Sequence, residues 1–306
     1  MDWDQARRLV RLVRAPVDDT GAPSSVDAGI EMESLATLRS GSVCIASGKG
    51  GTGKSVVSAS LAQLFARRGR TLIVDADMGV GNAHILQNVA PEHSFVDVVE
   101  GRCSAREIRV PCDRDLDLLA AGSGVSRMAG LSAYEMHLVA CGIESLETEY
   151  QFVLVDSAAG ISHQTIAFAA ASDLVLLVTT PDVTALTDAY AFLKVLLQRR
   201  SDCVPLFVVN RVASIEEGEH VADRMRSVAR KFLGREPQLV GILPDDRAVA
   251  RSVNERAPVV ASDPDSAISS ALADLSRRLI EELARRQPRG VGRTLLRSVG
   301  YTPGRP

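Results

Sequence analysis

Lysine is scarce in this chain. Only Lys49, Lys54, Lys194 and Lys231 occur among 35 basic residues, so arginine carries nearly all the positive charge. Paired cysteine motifs are missing as well. The five cysteines, at 44, 103, 112, 141 and 203, show no C-x-x-C spacing and are odd in number. That pattern argues against a disulfide framework or a cysteine metal site, and predicts reduced, mostly buried thiols in a cytoplasmic protein. No apolar run is long enough to span a bilayer; the longest candidate, Ile166 to Val178, is interrupted by Ser172 and Asp173. Met1-Asp2-Trp3-Asp4 leads into no basic region followed by an apolar run, so no signal peptide is expected. A formal net charge of −3 lacks the basic excess that sequence-independent binding to nucleic acid requires, and nucleic acid is not an expected partner. Neither an internal repeat nor a low-complexity block is present.

What is there suits a globular α/β protein: 306 residues, 46% hydrophobic, enough for one large domain or two small ones. Residues 1–16 read as a short N-terminal helix, centred on Trp3 to Arg14. Residues 17–39, rich in Asp, Ser, Pro and Gly, read as a linker. Over residues 40–286, short apolar runs alternate with helical patterns. The runs are Gly41–Ala46, Thr71–Val74, Leu116–Ala120, Phe152–Val155, Leu174–Thr179, Leu206–Val209 and Leu239–Leu243. Helical periodicity spans Lys54–Arg68 and the stretches near 132–148, 183–199, 214–233 and 265–286. Continuous apolar strands between helices predict a mostly parallel central sheet covered on both faces, with ligands beyond the C-terminal strand ends. The polar residues Asp75, Asp77, Asp156, Asn210 and Asp245 fall at those ends. Residues 287–306 form a separate tail.

Two of the four lysines sit in one loop, Ser47-Gly48-Lys49-Gly50-Gly51-Thr52-Gly53-Lys54-Ser55. Residues 48–55 fit G-x-x-x-x-G-K-[ST], placed between a strand and a helix as that motif requires. Its glycines let backbone N–H groups turn inward around a polyphosphate. Lys54 can reach the β- and γ-phosphates, and the Ser55 hydroxyl can meet Mg²⁺. A compact ammonium suits a phosphate better than a planar guanidinium does. The alternative is a glycine-rich turn that binds nothing.

Further along, Asp156 closes the run Phe152-Val153-Leu154-Val155, as a Walker B carboxylate does when it holds Mg²⁺ through water. The alternative is an aspartate that caps the next helix. In Asp156-Ser-Ala-Ala-Gly160, the glycine could present an N–H to a γ-phosphate and sense its loss. Val74-Asp75-Ala76-Asp77-Met78-Gly79-Val80-Gly81-Asn82 places two carboxylates on one side of an extended chain. One could orient an attacking water, although Asp, Gly and Asn are also ordinary turn residues.

These pieces together resemble the MinD/ParA ATPases, the P-loop family of SIMIBI type with a deviant Walker A box. The resemblance rests on Lys49 ahead of Gly-Gly-Thr-Gly-Lys54-Ser55, on Asp75-Ala-Asp77-Met-Gly-Val-Gly-Asn82, and on Asp156-Ser-Ala-Ala-Gly-Ile. Thr179-Thr-Pro181-Asp-Val-Thr-Ala-Leu-Thr-Asp188, Gly241-Ile-Leu-Pro244-Asp-Asp246 and Ala257-Pro258 continue it. The pieces follow family order over residues 43 to about 285. Ala158 departs, standing where MinD proteins usually carry proline.

The resemblance implies a slow ATPase with ATP/ADP and Mg²⁺ as cofactors, which forms a homodimer on ATP binding. Lys54 would hold phosphates within its own subunit, with Gly48, Gly50, Gly51, Thr52, Gly53, Ser55 and Val56 around them. Lys49 would reach the partner's nucleotide. Ser55, Asp75 and Asp156 would serve the metal, and Asp77 would orient the attacking water. Asn210, Arg211, Pro244 and Asp245 would receive the adenine.

Within the family, Asp4-Gln5-Ala6-Arg7-Arg8-Leu9 resembles the D-Q-A-x-x-L-R helix of the FlhG (FleN) regulators of flagellar number and placement, except that Val10 replaces the final arginine. That implies a flagellar signal-recognition-type GTPase (FlhF) as partner of residues 1–16. In the tail, Val291, Leu295, Leu296 and Val299 share one helical face flanked by Arg293 and Arg297. This suits an interfacial membrane helix over residues 291–301, and a peripheral position on the inner face of the cytoplasmic membrane. A frayed end, or a helix docked on its own domain, is the alternative. The family also contains division-site MinD proteins and ParA-type segregation ATPases, for which Arg199, Arg200, Arg224, Arg226, Arg230 and Lys231 could supply a DNA surface. Iron–sulfur carriers of the same superfamily need bridging cysteines that this chain lacks, and the tyrosine kinases need more than the single tail tyrosine, Tyr301.

Overall fold

The computed structural model describes residues 40–122, 128 and 130–299. The expected helix over residues 1–16, the linker over 17–39, and Tyr301 lie outside the described residues. Eight strands form one sheet: β1 (Gly41–Ser47), β2 (Thr71–Ala76), β3 (Arg109–Asp113), β4 (Leu116–Leu119), β5 (Phe152–Ala159), β6 (Leu174–Thr179), β7 (Leu206–Val212) and β8 (Gln238–Pro244). Their order is β3-β4-β2-β5-β1-β6-β7-β8. Every pairing is parallel except β3 with β4.

The continuous apolar runs predict a sheet buried on both faces, and β2 and β6 are buried throughout. Ile45, Leu154 and Leu176 face one layer of helices; Cys44, Val155 and Leu177 face the other. The chain reverses its direction of travel across the sheet at β1, which lies between β5 and β6. Open parallel sheets bind their ligands at such a point.

The first layer contains α1 (Lys54–Ala66), α2 (Ala83–Leu86), α8 (Arg247–Asn254), α9 (Val259–Ser262) and α10 (Ala267–Ala284). The second contains α3 (Phe95–Val99), α4 (Ala133–Glu147), α5 (His163–Ala171), α6 (Val183–Arg199), α7 (Ile215–Leu233) and α11 (Val291–Ser298). Strands β5 and β7 run beyond the apolar segments that announced them: β5 through Asp156, which pairs with Asp75 of the parallel β2, and β7 through Asn210 to Val212, where pairing with β8 resumes. Strand β3 carries no apolar periodicity and contains Pro111. A proline can sit here because β3 is an edge strand. Helix α5 begins at His163, ahead of the apolar stretch 166–178, and ends at Ala171; Ser172 and Asp173 separate it from the buried strand β6 that completes the stretch.

The tail forms α11, and its apolar face is turned onto its own domain. Val291 and Leu295 are fully buried, and Leu296 and Val299 pack beside them. Membrane contact through that face therefore requires undocking. Gly292 lies so close to α4 that a Cβ there would sit 2.3 Å from the Glu144 backbone nitrogen. The buried Glu147 carboxylate accepts the N–H groups of Gly292 at 3.0 Å and Arg293 at 3.5 Å, satisfying donors that the first turn of α11 cannot pair internally. Asp173 accepts the N–H of Arg289 at 2.9 Å and both the backbone N–H and the hydroxyl of Ser42 on β1.

All five cysteines are unpaired, but their burial differs from the expectation. Cys44 and Cys203 are buried, Cys103 and Cys112 half-buried, and Cys141 exposed. Burial pushes the Cys44 thiol up to about 12. Among the described residues, no helix is long and apolar enough to cross a membrane.

Candidate functional site

The loop after β1 is shaped by close approach. A Cβ on Gly48 would sit 2.2 Å from the Asp188 backbone of α6, so only glycine fits. Gly53, the residue before α1, has φ 85°, and a Cβ there would meet the Asn210 side chain at 2.4 Å. Gly50 and Gly51 are exposed and Thr52 is buried. The loop delivers Lys54 to the first turn of α1, where it is only 7% exposed.

Lys54 Nζ lies 2.7 Å from Asp156 Oδ1 and 3.2 Å from Ser55 Oγ. Burial alone would lower the lysine pKa. The charge of Asp156 and its hydrogen bond, with Asp75 and Asp77 behind it, outweigh burial and raise it, so the ammonium stays charged. Asp75 pairs directly with Asp156 across β2 and β5. Its carboxyl is pushed up to about 8, first by burial and then by the Asp156 charge. Asp75 also accepts the N–H groups of Asp77 and Ala83, both at 3.1 Å, which shapes the turn after β2. Asp77 accepts the Val80 N–H at 3.2 Å and is half-buried at the rim. Turn chemistry and an accessible carboxylate thus coexist at Asp77. Lys49 is exposed and donates to the Thr184 hydroxyl at 2.8 Å, at the start of α6.

A narrow pocket opens on the other side of Gly53. The pairing of β7 with β8 breaks after Val209 and resumes at Val212, leaving Asn210 and Arg211 in a bulge. Arg211 adopts φ 61° there. Asn210, Arg211, Pro244 and Asp245, which the family resemblance implies at the base, line this one pocket, and Val56, expected near the phosphates, lines it too. Asn210 donates its amide to the Thr52 carbonyl at 2.8 Å, which ties the pocket to the phosphate loop. Arg211 and Asp245 approach to 3.9 Å across the mouth. Val57, Asp246, Val249, Ile268 and Leu272 complete the lining and were not anticipated. Asp246 carried a signal, since it closes the motif Gly241-Ile-Leu-Pro244-Asp-Asp246 on which the family resemblance rests. The apolar residues arrive from elements remote in sequence and carried none. A larger hollow of about 930 Å³ runs along α7 from Pro181 to Val228, but it is open to solvent and includes no phosphate-loop residue.

The donor set suits a magnesium nucleotide. Serine hydroxyl and carboxylate oxygens are hard ligands, and the described residues contain no cluster of three metal-ligating side chains. Hard oxygen donors of this kind fit an ion that also takes phosphate and water oxygens. The hydroxyls of Ser47, Thr52 and Thr179 are buried without a partner in and beneath the loop.

The family model for the CobQ/CobB/MinD/ParA nucleotide binding domain matches residues 43–259, more than half of the chain. The antiactivator FleN of Pseudomonas aeruginosa is 30% identical over 249 residues, 81% of this chain and 89% of FleN. The flagellum site-determining protein YlxH of Helicobacter pylori is 30% identical over 243 residues, covering 79% of this chain and 82% of YlxH. Among solved structures, the cell division ATPase MinD of Pyrococcus furiosus superposes with a TM-score of 0.65 at 26% identity, over 79% of this chain and 99% of that one. The chain belongs to the CobQ/CobB/MinD/ParA nucleotide-binding family, on its MinD/ParA side.

Proposed function

We propose that this protein is an ATP-dependent dimerising switch ATPase that regulates flagellar number and placement at the membrane. The observation that carries the nucleotide half is the placement of Lys54. It is buried, charged and at the foot of the phosphate loop, with Asp156 on one side and a narrow slot beside Gly53. The flagellar half is supported by the likeness to FleN and YlxH over about four-fifths of the chain.

ATP enters with its phosphates over Gly48–Ser55 and its base toward Asn210, Arg211, Pro244 and Asp245. Lys54 exchanges Asp156 for phosphate oxygens, a trade between two anionic partners that leaves the lysine charged throughout. Mg²⁺ would be held by Ser55, with Asp156 and Asp75 acting around it, and would neutralise charge on the β- and γ-phosphates. Asp77 orients the water that attacks the γ-phosphate. Catalysis of this kind depends on position and charge, with little covalent work for the protein.

Dimerisation is supported by the sheet edge that carries the loop. Val80, Ile161, Val183 and Ile215 follow the C-terminal ends of β2, β5, β6 and β7, and all are exposed, Val183 by 72%. A second copy facing this edge would bury that apolar rim and bring Lys49 to its nucleotide, after the lysine leaves Thr184. A DNA-binding role is less well supported by the charges. Arg200 is buried and donates to the carbonyls of Ala170 and Ser172, Arg226 pairs with Asp223, and Arg230 with Glu236.

The test is nucleotide binding by Lys54→Ala, measured by isothermal titration calorimetry with Mg²⁺. Loss of a charge-assisted phosphate contact should weaken ATP by about a hundredfold or more. Undiminished binding would remove the site assignment.

A further inference from the structure

The slot beside Gly53 draws its apolar wall from two helices: Val249 from α8, and Ile268 and Leu272 from α10. Both helices start at one carboxylate. Asp246 Oδ1 accepts the Ala248 N–H at 2.9 Å and so caps α8. Its Oδ2 accepts the Ile268 N–H at 3.4 Å, in the first turn of α10. Helix α10 has a cap of its own, because Ser266 accepts the Ser269 N–H at 3.3 Å. The contact from Asp246 is therefore not needed to begin α10. What it adds is a tie between two helix N-termini, each carrying partial positive charge toward the shared anion.

We propose that Asp246 is a positioning residue for the nucleotide base, fixing α8 and α10 at the separation that lets the base enter between the phosphate loop and the Val249–Ile268–Leu272 wall. The inference rests on the reading that a base occupies this slot. An apolar wall contributes to the base through buried area and shape and contributes nothing to the phosphates. Loosening it therefore affects only the base-dependent part of affinity, whereas a general loss of fold affects every ligand.

The experiment compares ATP with inorganic tripolyphosphate, which has the phosphates and no base or sugar, by calorimetry on the full chain with Mg²⁺. The wild-type protein should favour ATP. In Asp246→Ala, ATP affinity should fall by about tenfold, while tripolyphosphate affinity changes by less than about twofold. Asp246→Asn keeps an oxygen for the Ala248 N–H but sets an amide donor against the Ile268 N–H. It should lower the ATP-to-tripolyphosphate ratio with the α8 cap intact, and it carries the test if the alanine variant does not fold. Equal losses for the two ligands, or no loss for either, would overturn the inference. A wild-type protein that binds both ligands equally would overturn the base-slot reading, and this inference with it.

Discussion

Asp77 separates binding from chemistry at the level of single atoms. Its carboxylate accepts one backbone N–H, from Val80, and its own N–H is held by Asp75. Asparagine at 77 keeps an oxygen for Val80 and removes the negative charge, so the turn should survive Asp77→Asn. ATP affinity should then stay within about threefold, while turnover falls about a hundredfold or more, the range typical of losing a catalytic acid–base group. Phosphate release under saturating ATP reads the second effect, and calorimetry reads the first. If ATP affinity collapses with turnover, Asp77 holds the turn and does not act in catalysis. The residues proposed for this chemistry were legible because they stand in contiguous motifs: the loop from Gly48 to Ser55, Asp75 with Asp77, and Asp156. Their partners were not. Thr184 beneath Lys49, and the Asp188 backbone against Gly48, come from a helix more than a hundred residues later, and no local pattern links them to the loop.

At the scale of elements, the tail shows how an amphipathic pattern fixes which face is apolar but not what covers it. Val291, Leu295, Leu296 and Val299 were legible as one face. That α4 and α5 cover it follows from tertiary packing, through Gly292 and Glu147. Antiparallel β3 was illegible for a related reason, because an edge strand needs no apolar face to pair. Glu147 makes the docking of α11 sensitive to pH. Burial pushes its carboxyl up from the ordinary 4.5 to about 7, against the two N–H groups that favour its anion. A carboxyl with a raised folded pKa binds its proton more tightly folded than unfolded. Its contribution to stability is fully present below pH 4.5 and is lost as pH rises toward 7. Urea midpoints between pH 5 and 8 should fall with rising pH more steeply in the wild-type protein than in Glu147→Gln. The comparison is needed because Asp75, pushed up to about 8, adds a slope of the same sign in both proteins. Equal slopes would remove Glu147 as the cause. Gly292→Ala forces a methyl onto the α4 backbone and should cost about 2 kcal/mol, an overpacking penalty that the same urea midpoints would read.

For the molecule as a whole, the question is what ATP changes in a domain whose core is already closed. The layers are packed and the sheet is buried, and the rim of the described domain exposes Lys49 and the four β-branched residues. The hydrogen bond of the Lys49 ammonium is to the exposed Thr184, outside the loop. Lys49→Ala should therefore bind ATP with an affinity within about threefold of wild type and yet remain monomeric. Sedimentation velocity with Asp77→Asn in saturating Mg·ATP supplies the dimeric control, because that variant is expected to bind without turning over. If Lys49→Ala dimerises with the control, the lysine is not the cross-interface residue that the family resemblance implies. Removing residues 1–16 divides the problem differently. The residues proposed for the nucleotide all lie within the described domain, so basal turnover and ATP-dependent dimerisation should persist in the truncated chain. Stimulation of a flagellar signal-recognition-type GTPase should disappear. Stimulation that survives the truncation would place the partner surface on the ATPase domain, and the rim exposed beside Val183 and Ile215 would become the first region to mutate.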